Sequence, residues 1–155
     1  DLLCIADVDG YFRRLNLAWE NTLGYTLADL EGQQFLDFVH PDDREATLAA
    51  IASLNEQVVV SAFVNRYRCK DGSYRYIEWY SRPYGKLIYA AARDITERKQ
   101  TELHLRKIAT HLSTAQRIGK LGSWEFDLVS GAVQWSDEVF QIFGRDSGLG
   151  PPSFD

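Results

Sequence analysis

The sequence predicts an α+β fold: a five-stranded antiparallel sheet with helices inserted after its second strand, then a long linker helix and a partial second hairpin and helix. Three observations carry this expectation. Strand-like runs rich in β-branched and aromatic residues meet at Asp-Gly turns, first at Asp9-Gly10 and again at Asp71-Gly72. The stretch between the second and third of these runs has helical spacing instead. Residues 97–118 contain neither glycine nor proline, and after them the opening order of hairpin, helix and glycine starts again.

Taken in order, residues 2–6 are an apolar run that the Asp7-Val8-Asp9-Gly10 turn sends back as a strand over 11–15. Residues 16–25 read as a helix closed by Gly24. Residues 27–38, broken at Gly32, read as short helical turns. His40-Pro41-Asp42-Asp43 opens a longer helix: proline lacks the N–H that would go unpaired in a first turn, and the aspartates suit the positive end of the helix dipole. Leu48, Ile51 and Leu54 continue it to Asn55. Residues 58–69 and 74–81 are strands joined at Asp71-Gly72, and Pro83-Tyr84-Gly85-Lys86 turns the chain into a last strand over 87–92.

The linker carries Leu105, Ile108, Leu112 and Ala115 at 3-4-3 spacing, the seam of a short coiled coil. Six basic residues against two acidic ones give residues 97–120 a charge of +4, leaving −9 on the rest of a chain whose net charge is −5. Beyond it Trp124, Phe126 and Leu128 alternate with polar positions, 132–135 return, Ser136 is placed to cap a helix, and Val139, Phe140 and Phe143 give that helix an apolar face ending at Gly144. The expected organisation is a first domain over 1–96, a linker helix over 97–118 and the truncated start of a second domain over 119–155.

Composition narrows the function. The 155 residues are 45% hydrophobic and 25% charged, a globular balance. The negative net charge speaks against nucleic acid as a partner. Two cysteines, in no metal or redox spacing, fit a reducing cytoplasm. No apolar run approaches the roughly 20 residues that span a bilayer, so no membrane contact is expected from this stretch. The absence of methionine, even at position 1, suggests a fragment of a larger protein. Phosphate-binding, zinc-protease, serine-hydrolase and Cys-x-x-Cys motifs are missing, so no catalytic residue and no metal ligand is assigned.

Residues 2–99 resemble a PAS domain through Asn16 to Gly24-Tyr25, Leu30-Glu31-Gly32, His40-Pro41-Asp42-Asp43, Lys70-Asp71-Gly72-Ser73-Tyr74-Arg75 and Asp94-Ile95-Thr96-Glu97-Arg98-Lys99. Residues 119–144 resemble the start of another, through Gly122-Ser123-Trp124-Glu125, Trp135-Ser136 and Ile142-Phe143-Gly144. The resemblance implies a PAS-like sheet enclosing a small pocket, and a non-catalytic sensory module of a bacterial signalling protein, either a sensor histidine kinase or a cyclic-di-nucleotide enzyme. It implies that the signal leaves through Asp94, Ile95 and Thr96 into the linker helix. Thr96 is expected to cap that helix, and Arg66, Arg68 and Arg82 are the candidate partners of Asp94.

Within the sheet Phe63, Tyr67, Ile77 and Trp79 are expected on the pocket side, leaving Tyr76 and Tyr80 outward. The expected partners are a second copy, through the linker seam and the outer sheet face, a downstream output domain in the same chain, and a small-molecule ligand. No cofactor is assigned; the alternatives are a haem or flavin sensor, or a ligand-free dimerisation spacer. His40 could ligate haem but is read as helix-start structure. His104 and His111 share one flank of the linker and are read as solvated. Cys4 and Cys69 are read as small packing residues.

Overall fold

Period-two burial along the first residues sets the first strand pair. In the computed structural model, which describes residues 1–152, Leu2, Cys4 and Ala6 of β1 (Leu2–Asp7) are buried while Leu3 is exposed. This is the alternation of an antiparallel strand with one face on a core. β1 returns as β2 (Phe12–Leu15). Asp7 holds the turn between them: its Oδ1 accepts from the N–H groups of Asp9 (3.1 Å) and Tyr11 (2.9 Å), and its Oδ2 accepts from Arg13 Nε at 2.7 Å.

Three short helices follow. α1 (Ala18–Leu23) stops at Gly24, whose φ of 80° is a left-handed cap that a Cβ would strain. α2 (Leu27–Leu30) starts with a capping box between Thr26 and Asp29. After 3₁₀ turns at Phe35–Phe38 and Pro41–Asp43, α3 (Arg44–Asn55) runs along the sheet. β3 (Val60–Arg68), β4 (Tyr74–Tyr84) and β5 (Leu87–Asp94) complete an antiparallel sheet of order β2-β1-β5-β4-β3. The first hairpin therefore joins the last strand, which closes the unit.

Two strand details differ from the sequence expectation. β4 runs through Pro83 to Tyr84, because Pro83 lies beyond the last β3–β4 pair, Val60–Ser81, and its missing N–H breaks no bond to β3. In β3 the register shifts between Val60 and Phe63, with Ala62 at φ 53°. That bulge lets Val60 and Phe63, three residues apart, both face inward.

The core of this unit is aromatic. Trp19 is fully buried, its ring stacked on Trp79 at 5.5 Å between centroids, with Phe12 at 6.1 Å and Tyr67 at 6.2 Å. Burying rings of this size contributes several kcal/mol through area alone (about 1.5–3 kcal/mol for a Phe-sized side chain). Trp19 Nε1 donates to the Leu3 carbonyl at 3.0 Å, so the largest side chain of the core brings no unpaired N–H with it.

The described chain divides into two compact units, Asp1–Gln100 and a second from Thr101 on. α4 (Thr96–Gly119) begins in the first and continues into the second. In the second, β6 (Trp124–Phe126) pairs with β7 (Val133–Trp135), and α5 (Asp137–Ile142) follows. The order repeats β1, β2, α1 and the left-handed Gly24, ending in Gly144 at φ 62°. Gly122 packs so closely on α5 that an added Cβ would sit 2.4 Å from Val139 Cγ2.

Three local expectations fail in this unit. Leu128 lies outside the strand and is exposed, because the hairpin turns at Asp127. Ser136 accepts from the Ser123 N–H rather than capping α5 with its side chain. Phe143 is exposed while Val139 and Phe140 are buried. The last three residues of the 119–155 stretch lie outside the described residues.

Candidate functional site

The inner face of the sheet and α3 line a partly open cavity of about 60 Å3. α3 contributes Thr47, Ile51 and Leu54; β3 contributes Phe63, Asn65 and Tyr67. Trp79, Ser81 and Cys4 line it from β4 and β1. Of the four residues the sequence placed at the pocket, Phe63, Tyr67 and Trp79 line the cavity. Ile77 does not: it is fully buried on the same face of β4, one inward position beyond Trp79, and pairs with Asp94 near the end of β5. Sequence reasoning passed over Asn65, Thr47 and Ser81. Asn65 had a signal, since a polar residue between the inward Phe63 and Tyr67 interrupts an apolar register.

Asn65 is 2% exposed and is satisfied on both sides. Its Oδ1 accepts from Trp79 Nε1 at 2.7 Å, and its Nδ2 donates to Thr47 Oγ1 at 3.0 Å. Thr47 Oγ1 donates on to the Asp43 carbonyl at 2.7 Å. The Asp43 carboxylate accepts from Arg66 through Nε (2.9 Å), Nη2 (2.6 Å) and the backbone N–H (2.8 Å). The Arg66 bonds outweigh partial burial and hold the Asp43 carboxyl below the usual carboxylate range. Together these bonds fasten the start of α3 to β3 and β4, across one wall of the cavity. Low local dielectric strengthens such a chain when every member is paired.

The remaining polar groups on the wall are the Tyr67 and Ser81 hydroxyls and the Cys4 thiol. Among the described residues no charged side chain lines the cavity. Burial pushes the Tyr67 hydroxyl well above its ordinary range, with the Cys4 thiol adding to the effect, and burial pushes Cys4 itself up to about 12. Both groups stay protonated and neutral at physiological pH. His40 does not reach this space. Its Nδ1 accepts from the Asp42 N–H at 3.2 Å and its ring meets Tyr74 edge-on at 4.7 Å, so it caps the turn before α3. The cavity is also smaller than the roughly 150 Å3 that holds a benzene. Among the described residues no histidine lines this space. Among the described residues no cluster of His, Cys, Asp or Glu has the arrangement of a metal site. Cys69 is buried, with its Sγ 3.9 Å from the Thr22 carbonyl.

At the far end of β5 the chain enters α4 through a compact hydrogen-bonded joint. Thr96 Oγ1 accepts from the Tyr76 N–H of β4 at 2.9 Å and donates to Asp94 Oδ1. Asp94 Oδ1 also accepts from the Thr96 N–H at 2.9 Å, while Asp94 Oδ2 faces Arg75 Nη1 at 3.4 Å. Thr96, expected as the cap, is instead the first residue of the helix and pins it to β4, while Asp94 accepts from the Thr96 N–H. The partner of Asp94 is Arg75 rather than Arg66, Arg68 or Arg82. Arg66 is engaged by Asp43, Arg68 reaches the Asp37 carbonyl, and Arg82 lies at the other end of β4. Ile95 is buried and its N–H donates to the Tyr76 carbonyl at 2.9 Å, so both backbone groups of Tyr76 hold the joint. Arg98 Nη2 approaches Glu78 Oε1, on the next outward position of β4, at 3.4 Å.

Other expected interaction positions are exposed. Leu105, Ile108, Leu112 and Ala115 lie open along α4, as do His104 and His111. On the outer sheet face Tyr80 is 47% exposed, beside the exposed Tyr89 and Leu3, whereas Tyr76 is half-buried. Among the described residues no helix is long and apolar enough to cross a membrane.

Comparison with known proteins agrees with this geometry. The family model described as "PAS fold" matches residues 13–91. The probable diguanylate cyclase DgcE of Escherichia coli is 22% identical over 148 residues, 91% of this chain but 13% of that protein, so the chain spans a small part of this relative. The N-terminal domain of a diguanylate cyclase with PAS/PAC sensor from Marinobacter aquaeolei superposes with a TM-score of 0.57 at 15% identity, over 63% of this chain and 97% of that one. The PAS domain of the Cronobacter turicensis RpfR quorum-sensing receptor, in complex with BDSF, gives a TM-score of 0.55 at 18% identity, over 61% and 93%.

Proposed function

The chain belongs to the PAS fold family, and on that premise we propose that its first unit senses a small molecule in the cavity and passes the change through Asp94, Ile95 and Thr96 into α4. The observation that carries this reading is that one strand serves both places. β4 supplies Trp79 to the cavity wall and, three residues earlier, the Tyr76 backbone that holds Ile95 and Thr96. A ligand shifts such a joint only if it binds the two arrangements of the strand unequally.

The module is sensory and carries no catalytic residue of its own. We place it in a larger signalling protein whose output is a cyclic-di-nucleotide enzyme, supported by the match to DgcE, which extends over 148 residues and so across both units. In this reading 1–96 sense, 97–118 form the signalling helix, and 119–155 begin a second PAS domain. Two copies join along Leu105, Ile108, Leu112 and Ala115 and at the Tyr80 face of the sheet, in the cytoplasm, where the free Cys4 and Cys69 stay reduced. That the RpfR PAS domain is in complex with BDSF is in keeping with a ligand in the cavity.

The test is the cyclic-di-nucleotide output of the full-length protein carrying Asp94→Ala with Thr96→Ala. Output that no longer responds to its stimulus, from a protein with native far-UV circular dichroism, supports the relay. Unchanged regulation refutes it.

A further inference from the structure

The cavity wall carries two hydroxyls that no described residue uses. Neither the Tyr67 nor the Ser81 side chain makes a hydrogen bond to any described residue, although Tyr67 is 2% and Ser81 7% exposed. Among the described residues no fully enclosed side-chain nitrogen or oxygen lacks a partner, so both hydroxyls keep some accessible surface, and the cavity is a volume that both residues line. An idle hydroxyl held in an apolar setting costs about 1–3 kcal/mol. A ligand oxygen that pairs with it recovers that cost, so the pair is a recognition feature as well as a liability.

The rest of the wall restricts what binds. Asn65 and Thr47 already bond to each other and to Trp79 and Asp43. Ile51, Leu54, Phe63 and Ile88 offer only carbon. With no charged side chain facing the space, an ionised ligand would be stripped of water without compensation. One water needs roughly 10–15 Å3 of such volume, so about 60 Å3 holds on the order of four to six heavy atoms.

Resting on the reading that this cavity is the sensing site, we infer that its ligand is a small uncharged oxygen-bearing molecule, a short alcohol or its carbonyl equivalent, whose oxygen is held by the Tyr67 or Ser81 hydroxyl while its carbon chain lies against α3.

The experiment is a two-dimensional amide and indole NMR titration of the full chain with propan-1-ol, and separately with propanoate. Saturable shifts at the Trp79 indole and the Tyr67 and Ser81 amides with propan-1-ol, none with propanoate, and a Kd weakened about fivefold or more by Tyr67→Phe or Ser81→Ala are expected. One neutral hydrogen bond sets that factor. Both substitutions remove a single oxygen that makes no internal bond, so the fold is retained. Equal binding of propanoate, affinity unaltered in both variants, or no saturable shift overturns the ligand class. The wider sensing proposal is read separately in the same titration. If propan-1-ol fills the cavity as expected but the amides of Ile95, Thr96 and Lys99 do not move, the ligand class stands and the relay is refuted.

Discussion

Replacing Thr96 with valine tests the joint between sheet and helix on this chain alone. Valine keeps the shape of threonine and deletes one oxygen. That oxygen accepts from the Tyr76 N–H at 2.9 Å and donates to Asp94, in a residue that is 6% exposed. Its loss leaves the Tyr76 N–H without an acceptor, while Asp94 keeps the Thr96 N–H at 2.9 Å. Stranding one buried donor costs about 1–3 kcal/mol. The cost falls on the closed joint, so local opening becomes easier by the same amount. At about 1.4 kcal/mol per factor of ten, hydrogen exchange at the Tyr76, Ile95 and Lys99 amides should accelerate roughly 5- to 150-fold. Amides in β1 and in the Trp19 core should keep their rates, which separates local opening from global destabilisation. Exchange at the three joint amides within twofold of native would show that Thr96 is not what fastens α4 to β4.

Other outcomes follow from the same geometry. Asn65→Ala removes the acceptor of Trp79 Nε1 and the donor to Thr47, so urea unfolding followed by near-UV circular dichroism should show a loss of about 2–4 kcal/mol; a loss under about 1 kcal/mol would mean the network is not load sharing across α3. The Asp43 carboxyl titrates below its unfolded value, so the stability it contributes is complete above about pH 4 and is lost as pH falls through the folded pKa. Asp43→Asn should therefore destabilise at neutral pH by about 1–2 kcal/mol, and the gap to native should close on acidification; a gap independent of pH removes the carboxylate from the argument. Leu105→Asp with Leu112→Asp should lower the mass seen by light scattering if the α4 seam joins two copies, whereas an unaltered mass shows that it does not.

Residues whose roles follow from backbone chemistry were readable in the sequence. Gly24, Asp71-Gly72 and Pro41 stand where turns and helix starts need them, and the alternation of Ile77 and Trp79 against Tyr76 and Tyr80 identifies the two faces of β4. What stayed hidden depends on positions distant in the chain. The bulge at Ala62 is set by how β3 must meet β4, and a residue count through Val60 to Phe63 assigns the wrong faces on one side of it. The Asp94 partner was misplaced because the β4–β5 pairing puts Asp94 opposite Ile77, and Arg75, two residues away on the same face, is then in reach. Ser136 looked like a cap by its neighbours in sequence, but Ser123, thirteen residues back, offered it a donor.

The division of labour within the first unit also limits how a signal can travel. α3 is the lighter wall of the cavity: Thr47 and Leu54 are its buried residues, and its start is held by the Asp43–Arg66 pair and the Asn65 network. β4 is the heavier wall, laddered to β3 on one side and to β5 on the other. A ligand that merely lifts α3 does so at the cost of those few bonds and leaves β4 in place. Movement reaches Thr96 only if the ligand displaces Trp79, because Trp79 and Tyr76 sit about 10 Å apart along one hydrogen-bonded strand, at roughly 3.3 Å per residue. In the proposed relay, occupancy becomes a change at α4 because a ligand that fills the cavity meets the Trp79 ring on its wall, and the strand that carries Trp79 also carries Tyr76.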